Sequence, residues 1–270
     1  MVRRGLPLGL GGLLILFLLS LLTGQDFLSL FGGIGGGGPV VVQQPGFQQQ
    51  APANVPVQSS PQEEKLVDFV SWVLDDAQAT WQRVLPGQYR ETKLALFREL
   101  VRSGCGMAQA GTGPFYCPAD EKVYIDLSFY EELARRFGAP GDFAQAYVLA
   151  HEIGHHVQKV IGVEQQVRQM QRARPNLANR LSVAMELQAD CFAGIWGHST
   201  ARRDILEEGD IEEGLRAAGS IGDDRIQKMT QGYVQPESFT HGTSQQRMEW
   251  FMRGLRSGDP KQCDVFDSGT

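Results

Sequence analysis

Stripes of basic residues are missing from this sequence. Its 25 lysines and arginines are scattered among 31 aspartates and glutamates, for a net charge of −6, and no basic run is interleaved with aromatics. Nucleic acid is therefore not an expected partner. Histidine is scarce, at five in 270 residues. Cysteine is scarcer, and cysteine-nucleophile chemistry has no supporting histidine close in sequence. Charge is almost absent from the first sixty residues, which do not read as part of a folded core.

Those sixty residues divide in two. Leu6 to Leu22 carries no charge and follows Arg3 and Arg4. Its length suits a short membrane span or a long signal-peptide core, and no small-x-small cleavage site follows it. We expect a retained anchor over residues 1–31, with a cleaved signal or a buried helix as alternatives. The paired arginines would leave the N-terminus cytoplasmic and the rest extracytoplasmic, in a periplasm or outside the cell, as a single-pass membrane protein. Residues 32–60 are rich in Gly, Pro and Gln and read as a flexible linker. The folded part is expected over residues 61–270, long enough for one substantial core.

Four cysteines in an exported domain permit two disulfides, and three pairings are open. Cys105 and Cys117 bracket a Gly-rich loop that a crosslink would hold, which leaves Cys191 for Cys263. A zinc-thiolate site is the alternative for the first pair, although neighbouring ligands are lacking.

The densest chemistry lies in Tyr147-Val-Leu-Ala-His151-Glu152-Ile-Gly-His155-His156. Its apolar spacing is helical, and residues four apart on a helix lie one above the other, so His151 and His155 can reach one metal ion. Glu152 sits about 100° round the turn, placed to touch a metal-activated water without binding the metal. With five histidines, such a pattern arises by chance in roughly one shuffled chain in a hundred or fewer, so it carries weight once a third ligand is found. Asp142 is expected to cap this helix, with Gln145 at its third position. Gly154 costs helix propensity, which suggests that another backbone comes close there. His156 lies off the ligand face and reads as a supporting or surface residue.

Leu181 to Trp196 reads as a second long, mostly buried helix carrying Glu186 and Asp190 four residues apart. A buried carboxylate needs a matching charge, and a divalent cation is one. Glu186 can be the third ligand while Asp190 holds the far nitrogen of a ligand histidine. The bland alternative is a pair of acids in salt bridges or in water. Further along, His241 and Tyr233 occupy one loop and compete as the donor to a tetrahedral oxyanion. Arg247 either binds substrate or pairs with a local acid. Flanking these, a helix is expected over about 61–84, strands over Tyr89–Phe97, Gly113–Cys117 and Lys122–Asp126, and a short helix capped by Ser128. The last two strands would form a hairpin with an edge open to an extended peptide.

Three segments together, Ala150-His-Glu-Ile-Gly-His-His156, Glu186-Leu-Gln-Ala-Asp-Cys-Phe-Ala-Gly-Ile-Trp-Gly197 and His241-Gly-Thr-Ser-Gln-Gln-Arg247, resemble the bacterial neutral zinc metallopeptidase family, of the glutamate-zincin type. The likeness spans Pro61 to Cys263, and it implies an N-terminal anchor. The expected fold is α+β, a helix-rich zincin-like domain with a small β-sheet or hairpin beside the metal helix. The expected activity is hydrolysis of peptide bonds in a peptide or protein substrate. One Zn²⁺ would be held by His151, His155 and Glu186, with Glu152 as general base on its water. The alternatives are a catalytically inactive, zinc-stabilised peptide-binding or envelope protein, and hydrolysis of another amide such as a cell-wall crosslink.

Overall fold

The computed structural model describes residues 59–109 and 112–266. The expected anchor over 1–31 and nearly all of the linker lie outside the described residues. Among the described residues no helix is long and apolar enough to cross a membrane.

Helix α1, Pro61–Val84, has the expected bounds because its N-terminal signals act in concert. Pro61 occupies the first turn and the Ser60 hydroxyl accepts a bond from the Glu63 amide. The reciprocal half of a capping box is not made, since the Glu63 carboxylate is drawn to Arg98. Val70, Val73, Ala77 and Trp81 form its buried stripe.

Strands β1 (Lys93–Phe97), β4 (Phe115–Cys117) and β5 (Lys122–Asp126) form a sheet of order β1-β5-β4. β1 runs parallel to β5 with Leu94 opposite Val123, and β4 runs antiparallel to β5 with Phe115 opposite Tyr124. β1 starts four residues later than expected. Backbone groups just before it are spent on side chains: the Thr92 amide donates to Gln78 of α1, and the Arg90 carbonyl bonds His156. A separate hairpin joins β2 (Leu100–Ser103) to β3 (Gly106–Gln109). A disulfide from Cys105 to Cys117 fastens its turn to β4, and Cys191 is bridged to Cys263. No cysteine among the described residues is free, so the zinc-thiolate alternative falls away.

The remaining helices are α2 (Phe129–Arg135), α3 (Asp142–Val160), α4 (Val163–Ala173), α5 (Ala178–Ala201), α6 (Asp210–Ser220), α7 (Asp223–Gln231) and α8 (Ser244–Ser257). Two expected caps are replaced. The Ser128 hydroxyl turns back to Asp126 rather than capping α2. At α3 the cap position is Gly141, not Asp142, whose carboxylate takes the Phe143 amide at 2.8 Å, and the Glu213 carboxylate of α6 comes against Gly141. Gly141, at φ 122°, has no Cβ to collide with that carboxylate.

α3 is buried on nearly all sides, against α1, α5, α6 and the sheet, and Tyr147, Leu149 and Ile153 are fully enclosed. Its crossing with α5 is tight. A Cβ at Gly154 would stand 2.9 Å from the Ala189 carbonyl oxygen and 3.1 Å from its Cα. On the far side α8 packs along α5, its N-terminus closed by reciprocal bonds between Thr243 and Gln246.

That crossing makes opposite predictions separable by sign. Helix propensity alone says Gly154→Ala should stabilise by about 0.5–1 kcal/mol. We expect a net loss instead, since overpacking costs about 1–3 kcal/mol. Denaturant titration decides, and a higher midpoint would show that the two helices have room to spare.

Candidate metal centre

The helical repeat of α3 stacks His151 and His155, their rings 4.8 Å apart at centroid. α5 brings Glu186 beneath both. His151 Nε2 lies 3.2 Å from Glu186 Oε2, and His155 Nε2 lies 3.4 Å from Glu186 Oε1. A tetrahedral ion with arms of about 2.0–2.1 Å requires its ligand atoms to stand roughly 3.3 Å apart. The three side chains therefore fit a metal ion, and each outer ring nitrogen is already engaged elsewhere, which leaves Nε2 for it.

Those outer nitrogens have different partners. His151 Nδ1 donates to Asp190 Oδ1 at 2.8 Å, and His155 Nδ1 meets Gln158 Oε1 at 2.9 Å. Asp190 is wholly enclosed and accepts further bonds from Tyr147 and from Arg247, whose Nε and Nη2 reach its two oxygens at 2.8 and 2.9 Å. Arg247, 2% exposed, thus pairs with a local acid. Burial opposes ionisation of Asp190, but the Arg247 and His151 charges hold its pKa below the ordinary carboxylate value. Burial likewise opposes charge on His151, yet Asp190 and Glu186 raise its pKa to about 9 in the metal-free protein. Glu186 is held well below its usual range against burial, chiefly by His155 and then His151. A cation bound here would have to displace the His151 proton.

Beside the three donors opens a cleft of roughly 640 Å³. Glu152, 8% exposed, lines it. Among the described residues no hydrogen bond or ion pair ties its carboxylate down, so it is available to a substrate or water. His241 lines the cleft too; Tyr233 does not, and stands 55% exposed in the turn after α7. The difference is made by Asp223, a residue that sequence reading missed because it looked like an ordinary helix start. Asp223 Oδ2 accepts from the backbone amides of Thr240, His241 and Gly242, while Oδ1 takes His241 Nδ1 at 3.0 Å. This shapes the loop and turns Nε2 outward. Hydrogen bonding to Asp223 is the leading cause of the raised His241 pKa. His156 is fully buried rather than superficial: its Nε2 donates to the Arg90 carbonyl and its Nδ1 accepts from Tyr116, which joins α3 to β4. α4 supplies the opposite rim through Val167, Arg168 and Gln171.

A second group, Asp142, Asp210 and Glu213, also meets the spacing a cation would need. It lies where the starts of α3 and α6 meet, and there Asp142 takes the Phe143 amide and Asp210 the Glu207 amide.

The sequence matches the family described as "Putative neutral zinc metallopeptidase" over residues 3–266. It is 51% identical over 265 residues to Uncharacterized protein YpfJ of Escherichia coli K12, covering 97% of this chain and 88% of that one. Uncharacterized proteins Mb2605 of Mycobacterium bovis and Rv2575 of Mycobacterium tuberculosis are each 42% identical over 201 residues, 70% of this chain and 67% of theirs. No solved structure gives a significant match.

Removing Arg247 strands a fully buried carboxylate, and breaking such a pair costs about 3–5 kcal/mol. Arg247→Met should lose stability on that scale in urea unfolding, and Asp190→Asn added to it should cost much less than the two single losses summed. Strict additivity would show that the two side chains do not depend on each other.

Proposed function

Because this chain belongs to the neutral zinc metallopeptidase family, we propose that it hydrolyses peptide bonds with one zinc ion held by His151, His155 and Glu186. The observation that carries the reading is the pair of 3.2 and 3.4 Å separations between histidine nitrogens and one carboxylate, with Glu152 beside them in an open cleft. Two imidazoles and a carboxylate are a donor set that suits zinc and leaves a coordination position free. When bound, zinc supplies a Lewis acid that acidifies water and polarises the substrate carbonyl.

The chain's own residues divide the rest of the work. Glu152 takes a proton as water oxygen attacks the peptide carbon, then returns it to the amide nitrogen as the C–N bond breaks. His241, held by Asp223, donates from Nε2 to the oxyanion; its place on the cleft wall favours it over Tyr233. Asp190 keeps His151 in the tautomer that presents Nε2 inward. β4 pairs with β5 along one side only, and Phe115 and Tyr116 line the cleft. An extended peptide can therefore add along the free edge, held by main-chain bonds.

For the whole protein we propose a tether through the uncharged segment Leu6–Leu22, a linker over 32–60 and an extracytoplasmic catalytic domain over 61–270. Two disulfides support an oxidising compartment.

Zinc content and turnover of unfolded-protein substrates test the assignment together. Glu152→Gln should keep one zinc per chain and lose about 10²–10⁴ in kcat. Glu186→Ala should lose the zinc. A wild type that holds zinc but cleaves nothing in a broad peptide library would favour the non-catalytic reading.

His241 gives a pH test with a defined sign. Its folded pKa is raised, so it stays protonated to higher pH than a free imidazole and donates below that point. Activity that depends on the proton should fall on an alkaline limb, and Asp223→Asn should move that limb to lower pH. His241→Phe should abolish the limb and reduce kcat by about 10²–10³. An unaltered profile in both variants removes His241 from the mechanism.

A further inference from the structure

Support for the two histidines is unequal, and the weaker-looking side holds a device of its own. His155 Nδ1 faces Gln158 Oε1 at 2.9 Å. Gln158 Nε2 donates to the Met185 carbonyl at 2.7 Å and to Gln188 Oε1 at 3.1 Å. Gln188 Nε2 in turn donates to the Cys263 carbonyl at 3.0 Å. Gln158 is fully enclosed and Gln188 is 5% exposed, so water does not readily replace these partners.

Backbone carbonyls can only accept, and this gives the chain a direction. The Cys263 carbonyl claims the amino group of Gln188, which leaves Gln188 Oε1 to accept from Gln158. The Met185 carbonyl claims the same amino group of Gln158, which leaves Gln158 Oε1 as the atom against the imidazole. Rotating either amide by 180° would set oxygen against oxygen in a buried place. The imidazole must then carry its proton on Nδ1.

We propose that Gln158 and Gln188 are positioning residues of the metal centre, a one-way amide relay from the Cys263 carbonyl that holds His155 with its Nε2 lone pair presented to the cation. The inference rests on His155 being a ligand, as argued above. Its far end is anchored covalently, since Cys263 is bridged to Cys191, three residues beyond Gln188 on α5. The C-terminal turn Pro260–Cys263 thereby becomes part of the metal site's support. The arrangement also separates two roles. Asp190 lends His151 a carboxylate's charge, whereas the relay orients His155 without adding charge.

Chelator competition on the full-length protein measures this directly as zinc affinity, with the visible spectrum of the cobalt-loaded form as a second readout. Gln158→Met should weaken zinc binding about 10–100-fold and alter the cobalt spectrum. Gln188→Met should weaken it less, because the Met185 carbonyl still holds Gln158. The double variant should bind no worse than Gln158→Met alone. Wild-type affinity and an unshifted spectrum in Gln158→Met, or losses that multiply in the double variant, would overturn the relay. A merely structural role would instead lower the melting temperature of the chelator-treated protein while leaving affinity intact, and that result also counts against it. If His155→Ala binds zinc as tightly as wild type, the ligand assignment itself fails and takes the relay with it.

Discussion

Two helices have to cross closely enough for side chains on both to share one point in space, and most of the molecule serves that crossing. α3 offers no Cβ at Gly154, where the Ala189 backbone of α5 arrives. His151, about one turn before that glycine, and His155, the residue after it, meet Glu186, about one turn before Ala189. The remaining elements press the crossing from outside. α8 lies along α5, Arg247 reaches from α8 to Asp190, and the sheet holds α3 through Tyr116, His156 and Arg90. An offset of an ångström would be felt, since the ligand atoms tolerate only a few tenths.

The charges around the three candidate donors are matched within the protein itself. Asp190 is answered by Arg247, so that pair is nearly neutral within the core. Glu186 remains as the carboxylate turned toward the histidines, which hold its pKa well below the usual range against burial. A cation bound there would compete with protons for the same two nitrogens. Glu152 stands apart from this exchange, its carboxylate turned to the cleft.

What could be read from the residues alone was what repeats or what is local. The bounds of α1, the stacking of His151 over His155, the adjacency of Glu186 and Asp190, and the need for a close neighbour at Gly154 all follow from the helical period and from glycine's missing Cβ. Interactions between distant segments were legible only where a buried charge or a cysteine called for a partner, as at Glu186, Asp190 and Cys191. Glu213 brings its carboxylate against Gly141 at the start of α3 although it lies about seventy positions away. Glu63 leaves its own helix for Arg98. Asp223 carries no sign in sequence that it will gather three amides and an imidazole from a loop eighteen residues on. Tyr233 and His241 occupied one loop on paper, and only that loop's folding turned one toward the cleft and the other to solvent. The amides of Gln158 and Gln188 are ordinary polar residues until their partners are known.

The bridge between Cys191 and Cys263 carries a consequence for the order in which the molecule can be made. The histidines and Glu186 leave the ribosome well before residue 263 does, yet the strut behind His155 ends on that residue's carbonyl. During synthesis the nascent chain can form α3 and α5 and seat Gln158 on the Met185 carbonyl, but Gln188 still lacks its acceptor. A chain that stops short of Cys263 would keep every candidate donor and lack only the far end of the relay. The last link of that support is thus added only once residue 263 has emerged and its bridge to Cys191 has closed.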